Sequence, residues 1–461
     1  MKKRMYKIMA LAMTAAMVVP MAAQTTAFAA DDKEITYWNI AVESPDKDIV
    51  TAAVDKFNKE TKSGYTVNQV AIQNDTYKEK LVIAMSSGEC PDMYSSWSGG
   101  PMYEYIDSGF AQPIDDLLDQ SDIKDKLLDA AIEQGSYNGH VYAIPYLNVS
   151  LAGIFYNKDM FKQYGLEEPK TLADLENICA TLKENGITPF ALANASKWTG
   201  SMYFMSLAAR YGGLEPFQNA VAGTGKFTDD CFIKAGEKIQ EWVNNGYFPD
   251  GVNSLSEDDG QAKQLLYQET AGMMLGGSFY TGAFQTDSEE FYQKKIGWFP
   301  IPAIDDSDAD PTIQIGTVGD QFISFNCEGD KLAAAFECAA DHLSDEVEDM
   351  IYSTGKIAPV KDAGDHISDP VVKEIFDAAQ EASSIQLWYD QYLPTSVASA
   401  HLDGLQEVFG LTKTPQEAQE EMQKAMDEYL STKSDSGAAD DTAEEATDDA
   451  AADDAAADDA E

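Results

Sequence analysis

Residues 34–71 read EITYWNIAVESPDKDIVTAAVDKFNKETKSGYTVNQVA. Ile35-Thr36-Tyr37-Trp38 is built of β-branched and aromatic residues and predicts a strand. From Asp46 to Lys62, the apolar residues Ile49, Val50, Ala53, Val54 and Phe57 recur three and four positions apart, which puts them on one face of a helix. Residues 66–71, TVNQVA, predict a second strand. Strand, helix and strand in one stretch is the unit of an α/β fold around a mostly parallel sheet. In such sheets ligands sit beyond the carboxyl ends of the strands.

Outward from this stretch the alternation continues. A helix is expected from Tyr77 to Ser87, ended by Gly88, with a strand beginning at Asp92-Met93-Tyr94 and broken by Gly99-Gly100-Pro101. A second series opens near Val141. Residues 141–146 are extended and Leu151 to Asn157 is a strand, with helices over 158–164, 171–185 and 201–211. Ala271 to Ser278 is a short buried strand running into glycines, and Phe322 to Asn326 is another. Helices dominate from Lys331 onward, and no internal repeat is visible. With 461 residues, two or three domains are expected.

Both ends of the chain stand apart. Lys2, Lys3, Arg4 and Lys7 precede an apolar run from Ile8 to about Met21, and Ala27-Phe28-Ala29 offers a cleavage site. Residues 1–30 therefore read as a secretory signal peptide, with no cysteine at the cleavage point for a lipid anchor. No other run reaches transmembrane length. Residues 433–461 are low in complexity and acidic, and are expected to be a disordered tail.

The net charge is −47, and twelve of the acids lie in that tail. Even without them the chain is strongly acidic, which argues against nucleic acid and anionic membranes as partners. The five cysteines, at 90, 179, 231, 327 and 338, lack metal-type spacing and are expected to be mostly buried small hydrophobes, with one disulfide open after export.

Signs of catalysis are few. The four histidines, at 140, 342, 366 and 401, form no HExxH, and there is no GxSxG, P-loop or GxGxxG. No catalytic residue, metal site or cofactor is assigned. Carboxylates are too many for their number alone to exclude glycoside hydrolysis. Asp305 to Asp310 lacks the glycine and closing glutamate of a calcium loop and reads as a solvated loop.

Aromatic clusters say more. Trp38-Asn39 ends the first strand. Tyr94 to Gly100 holds Trp97 among serines. Lys197-Trp198 precedes a helix, and Phe279-Tyr280 follows the glycines of the 271–278 strand. SIQLWYDQYLP at 384–394 crowds Trp388, Tyr389 and Tyr392 beside Asp390. Flat rings stack on the C–H faces of sugars, while acids, amides and Lys bond the hydroxyls.

Several segments also carry a resemblance. They are EITYWNIAVES at 34–44, MSSGECPDMYSSWSGGPMYEYIDSGFAQPIDDLL at 85–118, NGHVYAIPY at 138–146, IFYNKDMFKQYGLEEPKTLADL at 154–175 and AGMMLGGSF at 271–279. In this order the chain resembles the extracellular solute-binding proteins of ABC importers, the carbohydrate-binding family that includes maltose-binding protein. The resemblance implies a two-lobed periplasmic-binding-protein fold (type II), α/β, with discontinuous lobes joined by a hinge. Lobe one would take 31–146 plus 315–355, and lobe two 147–314 plus 356–432. It implies a monomeric binding protein, not an enzyme, at the periplasm or the extracellular face of the membrane. Such a protein closes on an oligosaccharide and presents it to the importer's permease subunits.

By the same resemblance the ligand-binding residues are Trp38, Asn39 and Glu43; Tyr94, Ser96 and Trp97; Tyr146 and Asn148; Lys197 and Trp198; Ser278 and Phe279; Asp320 and Gln321; and Trp388, Tyr389 and Asp390. Tyr392 and Leu393 are expected to face the core. The alternative is a binder of glycerol phosphate or a polyamine in the same fold. A phosphate would want an Arg cluster, and only Arg4 and Arg210 are present.

Overall fold

Residues 33–452 are described in a computed structural model, with side chains to Lys433. The expected signal peptide lies outside the described residues. Along the chain the strands are β1 (Glu34–Asn39), β2 (Thr66–Ala71), β3 (Met93–Ser96), β4 (Ser136–Tyr137), β5 (His140–Val141), β6 (Ala143–Tyr146), β7 (Val149–Asn157), β8 (Thr188–Phe190), β9 (Ala271–Gly277), β10 (Ile296–Phe299), β11 (Gln314–Val318), β12 (Gln321–Phe325) and β13 (Ile385–Gln386).

Two sheets organise the molecule. The first has the order β2-β1-β3-β12-β6. β1 runs parallel to β2, with Glu34 opposite Thr66 and Asn39 opposite Ala71, and parallel to β3. β12 returns antiparallel between β3 and β6. α1 (Asp46–Glu60) buries all five apolar residues of its predicted stripe. The Gly329–Asp341 and Asp345–Ser353 helices pack against it. The second sheet has the order β13-β11-β7-β9-β8, with β10 also on β7. All nine residues of β7 are buried, as expected of a strand covered on both faces. The Trp198–Gly212 helix lies between this sheet and the Asp230–Asn244 and Thr395–Phe409 helices, so apolar residues surround it on all sides.

The chain passes between the sheets through two-residue links. Leu147-Asn148 joins β6 to β7, and Gly319-Asp320 joins β11 to β12. Gly319 has φ +127°, a conformation that favours glycine. β11 still belongs to the second sheet, so the return crossing lies five residues beyond the boundary expected at 315. Nothing in the composition of IQIGTV at 313–318 says which sheet it joins. The third crossing also comes late. The amide of Leu128 bonds the carbonyl of Pro359, and Val360 bridges Leu127, so the chain past 356 stays on the first lobe before the Pro370–Glu381 helix packs on β10.

The C-terminal helix runs Pro415–Ala452. It carries on through much of the segment expected to be disordered, and residues 453–461 lie outside the described residues. All five cysteines are free, and all but Cys90 are buried. Among the described residues no helix is long and apolar enough to cross a membrane.

Candidate functional site

Between the two sheets lies a cleft of about 280 Å³. The first lobe contributes Ile40 after β1, Asp46 at the start of α1, Asn74 and Lys78 from α2 (Asn74–Ser87), and Trp97 after β3. Its wall is thus the carboxyl edge of a largely parallel sheet. The second lobe contributes Trp198, Met202, Glu257, Asp258, Phe279, Tyr280, Ala283, Trp388, Asp390 and Gln391, and Asp320 and Gln321 close the floor at the return crossing.

Of the residues expected from sequence, Trp97, Trp198, Phe279, Asp320, Gln321, Trp388 and Asp390 line this cleft. Trp97 meets Tyr77 edge-on at 6.0 Å, and Lys78 Nζ stands 5.0 Å above its ring. Lys78 also reaches Asp390 at 3.5 Å, an ion pair across the cleft. Trp198 and Phe279 meet edge to face at 6.1 Å, with Tyr280 4.7 Å from Phe279. Trp388 shows only a thin edge, being 3 % exposed, with the rest of the ring in the second core.

The other expected residues do not line it. Tyr389 faces away from the cleft and stacks on Phe217 at 4.2 Å, in the same core that takes Tyr392 and Leu393. Tyr94 is buried, its hydroxyl donating to the Phe110 carbonyl. Ser96 pairs with Ser324 inside the first sheet at 2.7 Å. Asn39 is buried and caps its own turn through the Ala41 amide. Trp38 packs with Tyr77 and Leu81. Lys197 pairs with Asp403 at 2.6 Å. Ser278 locks the turn after β9, donating to the Val149 carbonyl. Glu43 lies in an adjoining hollow of about 160 Å³, which shares Ile40, Asp46, Phe279 and Ala283 with the cleft.

Two expected contacts serve the hinge. The carbonyl of Asn148 accepts the Asp320 amide at 2.7 Å, and its side-chain oxygen accepts the Ile357 amide at 2.8 Å. Its Nδ2 donates to Asp320 at 3.2 Å. One asparagine thus ties the first two crossings to each other and to the backbone at Ile357. Tyr146 is fully buried and donates to Gln321 Oε1 at 2.8 Å, fixing a group that does face the cleft.

Burial dominates the electrostatics. It pushes the Asp320 carboxyl up to about 6, against the pull of Lys356. Lys356 is itself buried and paired with Asp46. Burial pushes Glu257 up to about 8 and raises Asp258 as well. Sequence reasoning missed Asn74, Lys78, Glu257, Asp258 and Gln391. The stretch SEDDG at 256–260 looks like any solvated acidic loop, and only the tertiary fold brings it over α2. No group of three or more His, Cys, Asp or Glu that could hold a metal ion occurs among the described residues.

The lobes also touch each other directly. Glu104, in α3 (Gly100–Asp107), accepts the Thr395 amide at 2.9 Å and its hydroxyl at 2.6 Å, at the start of the Thr395–Phe409 helix. Asp258 accepts the Asp75 amide in the first turn of α2 at 3.4 Å. Gly99, at φ +108°, lets the Gln391 backbone come so close that a Cβ would stand 2.3 Å from its carbonyl oxygen.

Residues 41–340 match the family model described as bacterial extracellular solute-binding protein. A structure from work on xylan utilization by the thermophilic bacterium Caldanaerobius polysaccharolyticus is 30% identical, with a TM-score of 0.77 over 85% of this chain and 99% of that one. An uncharacterized ABC transporter extracellular-binding protein of Pyrococcus horikoshii is 31% identical over 49% of this chain and 50% of its own. A multiple sugar-binding protein of Streptococcus mutans is 30% identical over 39% of this chain and 38% of its own. The chain spans about half the length of the curated relatives it matches first.

Proposed function

The chain belongs to the bacterial extracellular solute-binding proteins, and from that premise we propose that it is the substrate-binding component of an ABC importer for a neutral oligosaccharide. Its family is one of solute-binding proteins. The observation that carries the reading is the interlobe cleft. Rings of Trp97, Trp198 and Phe279, with the edge of Trp388, stand among the polar tips of Asn74, Gln321, Asp390 and Gln391. Aromatic walls with a few placed polar groups suit a ligand that has flat C–H faces and a hydroxyl rim. The adjoining hollow favours a chain of sugars over a single unit. The Caldanaerobius relative makes xylan-derived oligosaccharides the first candidates.

Ligand contacts from both lobes are complete only when the lobes are closed, so binding shifts the population to the closed form. That form is then offered to permease subunits outside the cytoplasmic membrane. The protein acts as an exported monomer, and its acidic surface has no use for nucleic acid.

A phosphate ligand finds little support, because Arg210 is buried and spends its guanidinium on the Ile301 and Ile313 carbonyls. A polyamine is the second reading, favoured by the acids on the lining. Two of those already have partners, Asp390 on Lys78 and Asp46 on Lys356. A thermal-shift panel of xylotriose, raffinose, glycerol 3-phosphate and spermidine separates the readings. A sugar at a hundred times its Kd adds about 2.7 kcal/mol of stability. A shift with spermidine or glycerol 3-phosphate alone rejects the oligosaccharide.

A further inference from the structure

Three buried polar atoms at one corner of the cleft, the Trp198 indole N–H, the Tyr280 hydroxyl and Glu257 Oε2, lack a partner in good hydrogen-bond geometry among the described residues. The Tyr280 hydroxyl and the Glu257 carboxyl stand close enough to interact with each other, while the indole has no partner among the described residues. All three side chains line the cleft. Tyr280 is 5 % exposed and Glu257 9 %. Phe279 packs against both Trp198 and Tyr280 and so holds the corner together. Buried polar atoms left unpaired or only loosely paired cost stability, so three in one place call for a physical reason.

The chemistry of the set narrows what it can take. The indole only donates, and the Tyr280 hydroxyl donates or accepts. The groups facing Glu257 are Tyr280 from the Tyr280–Lys295 helix, Lys263 from the Gln261–Tyr267 helix, its neighbour Asp258, and Asp75 from α2. Lys263 is engaged by Asp287 at 2.9 Å, and both aspartates oppose a charge on Glu257. An anion would meet the acids, and an ammonium ion would meet two ring-borne donors. Two adjacent hydroxyls, each able to donate and accept, match the whole set.

Resting on the oligosaccharide reading above, we propose that Glu257, Tyr280 and Trp198 form a recognition corner that grips one neutral sugar unit by two neighbouring hydroxyls, the Glu257 carboxyl among the gripping groups. Burial holds that carboxyl up to about 8, so it keeps its proton at neutral pH and offers one donor and one acceptor. Neutral sugars would then be admitted, and sugars carrying a carboxylate at this position refused.

The test is calorimetric titration of xylotriose and raffinose into the wild type, Glu257→Gln, Glu257→Ala and Tyr280→Phe, between about pH 6.5 and 9.5. Wild-type affinity is expected to be level below about pH 8 and to fall towards tenfold per unit above it. Glu257→Gln, which keeps a donor and an acceptor, should bind within about threefold of wild type at neutral pH and lose the pH dependence. Glu257→Ala should lose about tenfold or more, and Tyr280→Phe about three- to tenfold. If Glu257→Ala fails to fold, the Gln profile and Tyr280→Phe still decide. Affinity that rises with pH and is lost in Glu257→Gln would mean that the charged carboxylate binds, and would overturn the proposal. Wild-type binding unmoved by Glu257→Ala and Tyr280→Phe overturns the corner alone. A wild type that binds neither sugar overturns it together with the reading it rests on.

Discussion

Asp320 sits where two demands oppose each other. It is partly buried on the cleft floor, and the loss of solvent there disfavours its charge, while Lys356 and the Asn148 amide favour it. Burial wins, and the carboxyl titrates near 6 instead of below 4. A carboxyl whose pKa is raised by folding contributes stability at pH below its unfolded value, and that contribution is lost as pH rises through the folded value. The wild type should therefore lose on the order of 2–3 kcal/mol relative to Asp320→Asn between about pH 4 and 7. Urea unfolding of both proteins at the two pH values measures it, and parallel pH curves would mean that Asp320 is not destabilised by charge. The same balance explains what was legible at this scale. Trp97, Trp198 and Asp390 could be picked out because an aromatic beside small polar residues at an element's end is unusual. Tyr389 was misassigned because its neighbour Trp388 reaches the cleft while its own ring, one position on, turns to Phe217. Glu257 carries no local signal, since its burial is made by residues far away in the chain.

Elements were read more surely than contacts between them. The stripe of α1 and the extent of β9 follow from periodicity and length, because a helix or strand must bury one face wherever it lies. Which sheet β11 joins depends on a two-residue link, and nothing in IQIGTV encodes that. The contact between α3 and the Thr395–Phe409 helix is of the same kind. Glu104 supplies from the other lobe the cap that this helix lacks locally, satisfying an orphan amide and complementing the dipole. Such a cap contributes about 0.5–2 kcal/mol, and it exists only while the lobes are together. Glu104→Ala should weaken sugar binding by about 2- to 30-fold without touching the cleft, since closure then costs more. Titration, with small-angle scattering on the free protein, checks this. Unchanged affinity and an unchanged radius of gyration would remove Glu104 from the closure mechanism.

On the scale of the whole molecule, the account rests on two sheets joined by short links that Asn148 stitches together, with the cleft between them. This arrangement allows the lobes to move as bodies while the hinge stays hydrogen-bonded. The net charge of −47 adds a long-range field that repels anions and leaves a neutral ligand unaffected. Chemistry at the cleft and charge at the surface thus favour the same class of solute. The most direct test is calorimetric titration of xylotriose into the wild type and into Trp97→Ala, whose ring is a first-lobe wall of the cleft. The account predicts one saturable site per chain in the wild type and a loss of about 1–3 kcal/mol in the variant with its fold intact. Saturable binding of spermidine or glycerol 3-phosphate, with no heat from xylotriose, raffinose or any other neutral oligosaccharide, would contradict it.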